Sequence, residues 1–443
     1  LWRAHTLFSL LSSQILSYST FMDYLIRCRN YFWDDHPVIR LYFLAYALNG
    51  FNLATFFIYV PLVLPMLGYE SIHGVALLIG IPALTSLVGH NVFGALCLRR
   101  DRFRSLLLIG SSTFIPLFFI LAFIQDVKVL FVYLAIHGFL LGALYPSSQT
   151  LVTLLRSSQK AEILSKLFAY DCVGWGLACL MMGLITGILG TELNVYVRVF
   201  IFYIMINSLV FVVLFRTFPK TIRDLDWSKI QSSNLGAYRR ILTSPPILCL
   251  FVYIFTVETG STLFFFFFSR YFTEVLSGAQ HILGYAMFGA TVMGILTFPL
   301  VGKIVDRRGY FPVLVFSAVT YLFLFMTLGF IKDPLIAIIL YTLPIFPLIT
   351  VSVNAGIAIL TTDSDRGIGF GVLESVFHFA TLLSPLVGST LLTMIELSFL
   401  PWFTVVLVLA GVLFLPVMKR VGTTAPDRIQ VTGLQEQKTQ KEN

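Results

Sequence analysis

Long apolar segments separated by short polar connections make up most of this chain. From Leu41 onward we count about twelve apolar runs, each of membrane length, about 20 residues. Because hydrocarbon offers no hydrogen-bond partners, each run must satisfy its own backbone, which a helix does. An outer-membrane barrel would show alternating segments of about ten residues instead. The pattern therefore predicts an all-α membrane protein with twelve transmembrane helices, approximately at 41–65, 72–98, 105–124, 129–152, 162–189, 195–216, 246–271, 280–301, 312–330, 334–358, 367–394 and 398–418.

Composition agrees with a membrane protein, since 57% of the residues are hydrophobic and only 12% are charged. An ordinary soluble domain has about 25% charged residues. The formal net charge is +8, which in a soluble protein would raise the question of nucleic-acid binding. Here the basic residues lie in the connections, beside the anionic surface of a bilayer. We expect a lipid bilayer as a partner and no nucleic acid.

The distribution of Lys and Arg predicts the orientation. Alternate connections hold few of them, only Lys128, Arg198, Arg270 and Lys332. By the positive-inside rule the other connections are cytoplasmic. We therefore expect a multi-pass protein of the plasma membrane with both termini in the cytoplasm. The basic connections contain Arg99, Arg100, Arg102, Arg104, Arg156, Lys160, Arg216, Lys220, Arg223, Lys229, Arg239, Arg240, Lys303, Arg307, Arg308, Arg366, Lys419 and Arg420.

The twelve runs divide into two similar halves. The segment Gly94–Asp101 lies at the same place in the first half as Gly302–Gly309 does in the second, 208 positions later (302 minus 94). We expect Met22 to be the biological start, because the segment before it is a poor membrane span and a poor secretory signal. The predicted organisation is an N-terminal extension at 1–39, a six-helix bundle at 40–217, a cytoplasmic linker at 218–244, a second six-helix bundle at 245–420 and a disordered cytoplasmic tail at 421–443.

The second-half connection carries a recognisable motif, Gly302-Lys303-Ile304-Val305-Asp306-Arg307-Arg308-Gly309. Its pattern, G-x-x-x-D-R-x-G, resembles the cytoplasmic loop signature of the major facilitator superfamily of secondary transporters. The resemblance implies two six-helix bundles with substrate bound between them near the midplane. It also implies a cytoplasmic gate built from Gly302, Asp306, Arg307, Arg308 and Gly309, in which Asp306 lies near the amino end of a neighbouring helix. Alternatively, Asp306 and Arg307 only cap and anchor helix ends.

The first-half copy of the motif is degenerate. Leu98 stands at the position of the aspartate, and Asp101 stands at the position of the second glycine. Because Leu98 cannot accept hydrogen bonds, the resemblance does not imply a matching gate in the first half. This departure favours an alternative function, a non-transporting membrane sensor or scaffold with the same fold.

Ionisable residues inside the predicted spans are candidates for proton coupling. A charge at the bilayer centre costs about 2.5–3.5 kcal/mol even on lenient scales, so such residues usually face the protein interior. Glu258 lies near the middle of the seventh span and Asp171 about ten residues into the fifth. Glu374 and His378 share one face of the eleventh. No Lys or Arg lies near the midplane, so burial favours the protonated carboxyl group.

In the resembled family, spans one, four, seven and ten line the cavity. The resemblance therefore implies the substrate-cavity candidates Asn49, Asn52, Tyr59, His137, Tyr145, Thr262 and Asn354. Each has a structural alternative, because Asn and His in membrane helices often serve as interhelical hydrogen-bond partners.

The absence of a midplane cation also bears on the substrate. Carriers of organic or inorganic anions need a positive counter-charge, usually Arg. We therefore expect a neutral or cationic, fairly apolar small molecule, moved by alternating access and coupled to protons or another ion, in a monomeric protein. We expect no cofactor, and no metal site because no third and fourth ligands accompany Glu374 and His378 in the sequence. No catalytic motif of an enzyme is present.

Overall fold

The structure, a computed structural model, describes residues 37–68, 72–97, 100–155, 159–190, 192–223 and 235–424. The proposed start at Met22 and the tail from residue 425 onward lie outside the described residues. The first half contains α1 (Pro37–Met66), α2 (Ile72–Leu96), α3 (Arg100–Ser112), α4 (Phe114–Phe119), α5 (Val127–Leu141), α6 (Leu144–Leu155), α7 (Lys160–Leu189) and α8 (Leu193–Arg223).

A short helix and a second set of membrane helices follow. They are α9 (Leu235–Thr243), α10 (Pro245–Arg270), α11 (Gln280–Arg308), α12 (Tyr310–Phe330), α13 (Pro334–Tyr341), α14 (Phe346–Leu360), α15 (Arg366–Leu391) and α16 (Leu400–Thr424). Short π-helical turns at Ile120–Ile124 and Tyr271–Val275 extend α4 and α10, and a 3₁₀ turn at Leu397–Phe399 precedes α16. The pairs α3–α4, α5–α6 and α13–α14 each form one crossing, which gives two bundles of six.

These helices are suited to a bilayer. Among the described residues, eleven helical segments are long and apolar enough to cross a membrane, and α1 precedes them with 30 residues, about 45 Å of helix. Large apolar side chains face outward, as with Val132, Phe323 and Leu413, each more than 60% exposed. The predicted all-α, twelve-helix membrane fold is confirmed.

The repeat predicted from the sequence is visible in matching helix caps. Asp126 begins α5 by accepting the backbone N–H groups of Lys128 and Val129. Asp333 begins α13 in the same way, at Leu335 and Ile336. The two caps are 207 positions apart (333 minus 126), close to the offset of the glycine motifs. Each carboxylate satisfies amide groups that the first turn of a helix leaves without partners.

Two glycines allow helices from opposite halves to approach closely. A Cβ atom on Gly302 of α11 would lie 2.2 Å from the Ser165 hydroxyl of α7, and one on Gly94 of α2 would lie 2.6 Å from the Gly367 carbonyl oxygen of α15. Only glycine fits such contacts. We call the contacts α7–α11 and α2–α15 the two seams. Both lie at the end of the molecule that we call the basic face, which carries exposed Lys303, Arg307, Arg308, Arg239 and Arg240.

Candidate functional site

A central cavity of about 520 Å³ lies between the two halves. Its walls are largely aromatic, because the helices that border it turn Phe, Tyr and Trp side chains inward. Polar and ionisable groups interrupt this apolar surface on both sides. The lining includes Tyr46, Phe56, Phe57, His137, Tyr145, Gln149, Asp171, Trp175, Glu258, Ser261, Thr262, Phe265, Tyr321, Asn354, Glu374 and His378.

All four predicted proton-coupling residues line this cavity. Glu258 lies on α10, where its carboxylate accepts a hydrogen bond of 3.0 Å from the hydroxyl of Thr262, one helical turn further on. Its second oxygen lies 3.5 Å from the Ser261 hydroxyl. These neutral hydroxyl groups orient the carboxyl group and supply no charge. Within the described residues Glu258 has no ion-pair partner.

Glu374 connects the two halves. The amide of Gln149 on α6 donates a hydrogen bond of 2.6 Å to Oε1 of Glu374 on α15, across 225 positions of sequence. One turn later, the Nδ1 atom of His378 lies 2.9 Å from the backbone carbonyl oxygen of Glu374. The predicted i,i+4 pair is therefore linked through the backbone, and the Glu374 carboxylate points to the other half.

Asp171 occupies a tight position on α7. A Cβ atom on Gly50 of α1 would lie 2.2 Å from the backbone carbonyl oxygen of Asp171, so only glycine lets the two helices approach there. The Oδ1 atom of Asp171 is buried and has no hydrogen-bond partner within the described residues. Asp171 also lines a second cavity of about 360 Å³, beside Cys172 and Trp175. Its carboxyl group thus borders two cavities.

Four of the predicted substrate-cavity residues, His137, Tyr145, Thr262 and Asn354, line the central cavity. His137 is held by its Nδ1 atom, 2.9 Å from the hydroxyl of Thr113. The amide of Asn354 donates to the carbonyl oxygen of Thr350, one turn earlier on α14. Their placement gives the cavity neutral hydrogen-bonding groups on both halves.

Two predicted cavity residues lie elsewhere. Asn52 and Asn207 exchange two amide hydrogen bonds, at 2.6 and 3.0 Å, which join α1 to α8. The structural alternative, an interhelical hydrogen-bond partner, therefore describes Asn52. Asn49 lines a small separate cavity with Tyr42 and Ser111. Neither residue is among those that line the central cavity. The side chain of Tyr59 is not among those that the structure describes.

Sequence reasoning assigned no role to a histidine that lies beside the cavity. His90 on α2 is fully buried, and its ring centroid is 4.5 Å from that of His378 on α15. The expectation of no metal site rested on the lack of third and fourth ligands beside Glu374 and His378. The fold brings a third candidate, His90, from 284 positions away (374 minus 90), so one part of that reason does not hold. The polarity of His90 within an apolar helix was its only signal in the sequence.

The second-half motif lies at the α7–α11 seam. The two carboxylate oxygens of Asp306 accept the backbone N–H groups of Ala161, at 3.0 Å, and Glu162, at 2.8 Å. These amides belong to the first turn of α7, which a negative charge stabilises. Arg307 and Arg308 are exposed. Gly309 ends α11 with φ +83°, a conformation that glycine adopts without strain.

The α2–α15 seam has a different closure. Leu98, which replaces the aspartate, lies outside the described residues. On the same side, Arg240 of α9 forms a two-pronged ion pair with Asp365 just before α15, with N–O distances of 2.9 and 2.7 Å. These hydrogen bonds raise the pKa of the Arg240 guanidinium above its usual value. The Tyr238 hydroxyl donates to the backbone carbonyl of Asn91 on α2. The linker helix α9 therefore spans the seam.

Comparison with protein families gives one match over most of the chain. The family model described as "Major Facilitator Superfamily" matches residues 42–362. A search of curated proteins finds no match.

Solved structures share the fold at low sequence identity. An E. coli fucose:proton symporter, FucP, aligns with TM-score 0.65 and 13% identity, covering 86% of this chain and 98% of that one. A bacterial homologue of the iron transporter ferroportin, in an outward-facing state, aligns with TM-score 0.69 and 15% identity, covering 87% of this chain and all of that one (100%). FucP in the outward conformation gives 0.65 and 14%, with coverage of 86% and 98%.

Proposed function

Because the chain belongs to the Major Facilitator Superfamily, we propose that it is a secondary active transporter that moves a small organic molecule across the membrane by alternating access, driven by protons. It works in the plasma membrane as a monomer, with both termini cytoplasmic. The family match agrees with the resemblance of the motif at 302–309 to this superfamily. The basic face is then the cytoplasmic side, closed at both seams.

One observation carries this proposal: three carboxyl groups border a cavity between the halves, and none of them pairs with a described Lys or Arg. Asp171 is on the first half, and Glu258 and Glu374 are on the second. A buried carboxyl group without a cation is stabilised when it binds a proton. Access to the cavity from one side at a time then lets a proton enter and leave on opposite sides.

The cavity wall supports a neutral or cationic, fairly apolar substrate. Phe57, Trp175, Phe265 and Tyr321 supply flat apolar surfaces, and aromatic faces also attract cations. No Lys or Arg is among the lining residues, so an anion would find no counter-charge. Thr262 and Asn354 offer neutral hydrogen bonds. A substrate of this class fits both the apolar area and the carboxyl groups.

A ligand-stabilisation screen on purified protein tests the substrate class first, because a bound ligand raises the melting temperature whatever the direction of transport. The ligand found is then used in proteoliposomes with the variant Glu258→Gln. We expect this variant to bind the ligand but to lose accumulation driven by a pH gradient. The matched control is Glu274→Gln. Glu274 is exposed, lies near the end of the same helix and forms an ion pair with Arg270.

Accumulation by Glu258→Gln equal to that of the unmodified protein would show that Glu258 is not the coupling residue. Asp171→Asn and Glu374→Gln are then tested in the same assay. If all three variants still accumulate ligand against its gradient, proton coupling through this cavity is wrong. If only organic anions stabilise the protein, the substrate class is wrong.

A further inference from the structure

Three side chains from opposite halves meet between α2 and α15, beside the central cavity. One donor atom from each of His90, Glu374 and His378 can be chosen so that all three lie within 4.8 Å of one another. His90 comes from the first half and the other two residues from the second. We propose that these residues form a binding site for a divalent transition-metal ion. The site adds to the transport function proposed above and does not depend on it.

The hydrogen bonding of His378 prepares it as a ligand. Its Nδ1 atom lies 2.9 Å from the backbone carbonyl oxygen of Glu374, and since a carbonyl only accepts, Nδ1 carries the proton. The Nε2 atom of the neutral ring then keeps its lone pair. Metal-binding histidines commonly donate their other ring nitrogen to a carbonyl or a carboxylate in this way, which fixes both the tautomer and the ring orientation.

Among the residues that the structure describes, His90 lacks the partners that a buried imidazole needs. Its side chain has 0% exposure, and neither ring nitrogen has a hydrogen-bond partner within the described residues. Burying polar atoms without partners costs free energy, and most such atoms in proteins are satisfied. A metal ion bound to one ring nitrogen would satisfy it. The two unpartnered nitrogens are an observation independent of the clustering and point to a group that the described residues do not supply.

Glu374 is also oriented for a metal. Gln149 donates to its Oε1 atom at 2.6 Å, and Oε2 has no hydrogen bond within the described residues. A hydrogen-bonded carboxylate that keeps one oxygen free is the usual arrangement in metal sites, where the partner of the ligand tunes affinity. Gln149 is thus a positioning residue, because it reaches the metal only through Glu374.

The separation of the donors is close to that of a metal site. Ligands bound at about 2.1 Å lie at most about 4.2 Å apart. The limit of 4.8 Å in this cluster exceeds that value by about 0.6 Å, a distance that side-chain rotations can close. The helices need not move, since α2 and α15 already touch at Gly94 and Gly367.

The ligand types select the class of ion. Two imidazole nitrogens and one carboxylate oxygen suit Fe²⁺, Co²⁺, Ni²⁺ and Zn²⁺, whereas Mg²⁺ and Ca²⁺ prefer sites made of oxygen atoms. Three protein ligands leave coordination positions open to water or a substrate. Glu374 and His378 also line the central cavity, so an ion can reach the site through it.

The test is a titration of the purified full-length protein with Co²⁺, whose visible absorption reports the ligand geometry, followed by Zn²⁺ in competition. We expect one Co²⁺ per chain, displaced by Zn²⁺ and not by Mg²⁺. His90→Asn and His378→Asn each remove a ligand and should weaken Co²⁺ binding at least tenfold. Even the loss of a residue that only hydrogen-bonds to a ligand often weakens metal binding by about this much. Gln149→Leu should weaken it less and change the spectrum.

His137→Asn is the matched control, because His137 is a buried cavity histidine outside the cluster, held by Thr113. It should bind Co²⁺ as the unmodified protein does. Size-exclusion profiles and melting temperatures without metal identify variants that fail to fold, and Glu374→Gln then serves as the replacement. Two outcomes overturn the proposal: no stoichiometric Co²⁺ binding by the unmodified protein, or equal affinity in the His90, His378 and Glu374 variants. Because binding is measured without a membrane gradient, neither outcome bears on transport.

Discussion

The carboxylate of Asp306 accepts the backbone N–H of Ala161 at 3.0 Å, although the two residues are 145 positions apart and belong to different halves of the molecule. The neighbouring amide of Glu162 binds the second carboxylate oxygen. A side chain near the end of one helix thereby caps the start of another. In the proposed transport cycle, this contact would couple the stability of the α7 amino terminus to closure of the basic face.

The first prediction concerns this contact. In Asp306→Ala, the α7 amides lose their charged partner only when the basic face is closed, so the variant should favour the open conformation. The effect should be about 1 kcal/mol, or about fivefold in population. Distances between spin labels at Arg102 and Arg308, in a cysteine-free background, measure it. Asp126→Ala is the control, because it removes a cap within one half; an equal shift there would contradict a gating role for Asp306.

The second prediction concerns the α2–α15 seam. Gly94→Ala places a methyl group 2.6 Å from the Gly367 carbonyl oxygen, a clash that should cost about 1–3 kcal/mol and open this seam. Gly80→Ala in the same helix is the control, since its added carbon meets only the Leu382 side chain at 3.4 Å. The same spin-label distances and the melting temperature should change in the first variant and not in the second. A closed, fully stable Gly94→Ala protein would contradict this account of the seam.

The third prediction assigns Asn52 to stability. Asn52→Ala and Asn207→Ala each break the amide pair that joins α1 to α8, and each should destabilise the protein by about 1 kcal/mol. A double-mutant cycle should give a coupling energy of about 0.6–1.7 kcal/mol. Ser208→Ala, at an exposed neighbour that bonds only within its own helix, should have little effect. Unfolding midpoints in detergent provide the measurement, and additive single effects would contradict a direct interaction.

The fourth prediction concerns the linker helix α9. The side chain of Asp365 is only 8% exposed and that of Arg240 is 59% exposed, so Arg240→Ala should leave a buried carboxylate without its partner and loosen α9. Hydrogen exchange at 235–243 should accelerate, whereas Arg239→Ala should leave it unchanged. The hydrogen bonds to Asp365 raise the pKa of Arg240. The stability that this shift contributes is fully present below the ordinary pKa of arginine and is lost as the pH rises through the raised pKa. The pair should therefore persist up to strongly alkaline pH. Unchanged exchange in Arg240→Ala would mean that other contacts hold α9.

Hydrophobic runs predicted the helices well, because hydrocarbon forces both their length and their backbone pairing. They missed ends and breaks. The eighth span was expected to end at residue 301, but α11 continues to Arg308, since Lys and Arg are good helix formers and a helix can extend beyond the bilayer. The tenth span was expected to be continuous, but it breaks between Thr342 and Ile345, where Pro344 has no amide hydrogen to donate.

The candidate site was harder to predict. Depth along a span identified Glu258, Asp171 and Glu374, because a buried charge is costly at that depth in any helix. The direction in which a side chain points depends on how the helices pack, and this packing turns Asn52 away from the cavity. The approach of His90 to His378 depends on how α2 and α15 cross, which no pattern within either helix encodes.

The two halves repeat the same order of helices, but the contacts that join them at the basic face differ. On one side, Asp306 reaches the partner half directly. On the other side, Arg240 and Tyr238 do so from a helix that belongs to the connection between the halves. Proteolytic cleavage of that connection should therefore weaken the contacts made by Arg240 and Tyr238 and leave the contact made by Asp306 intact.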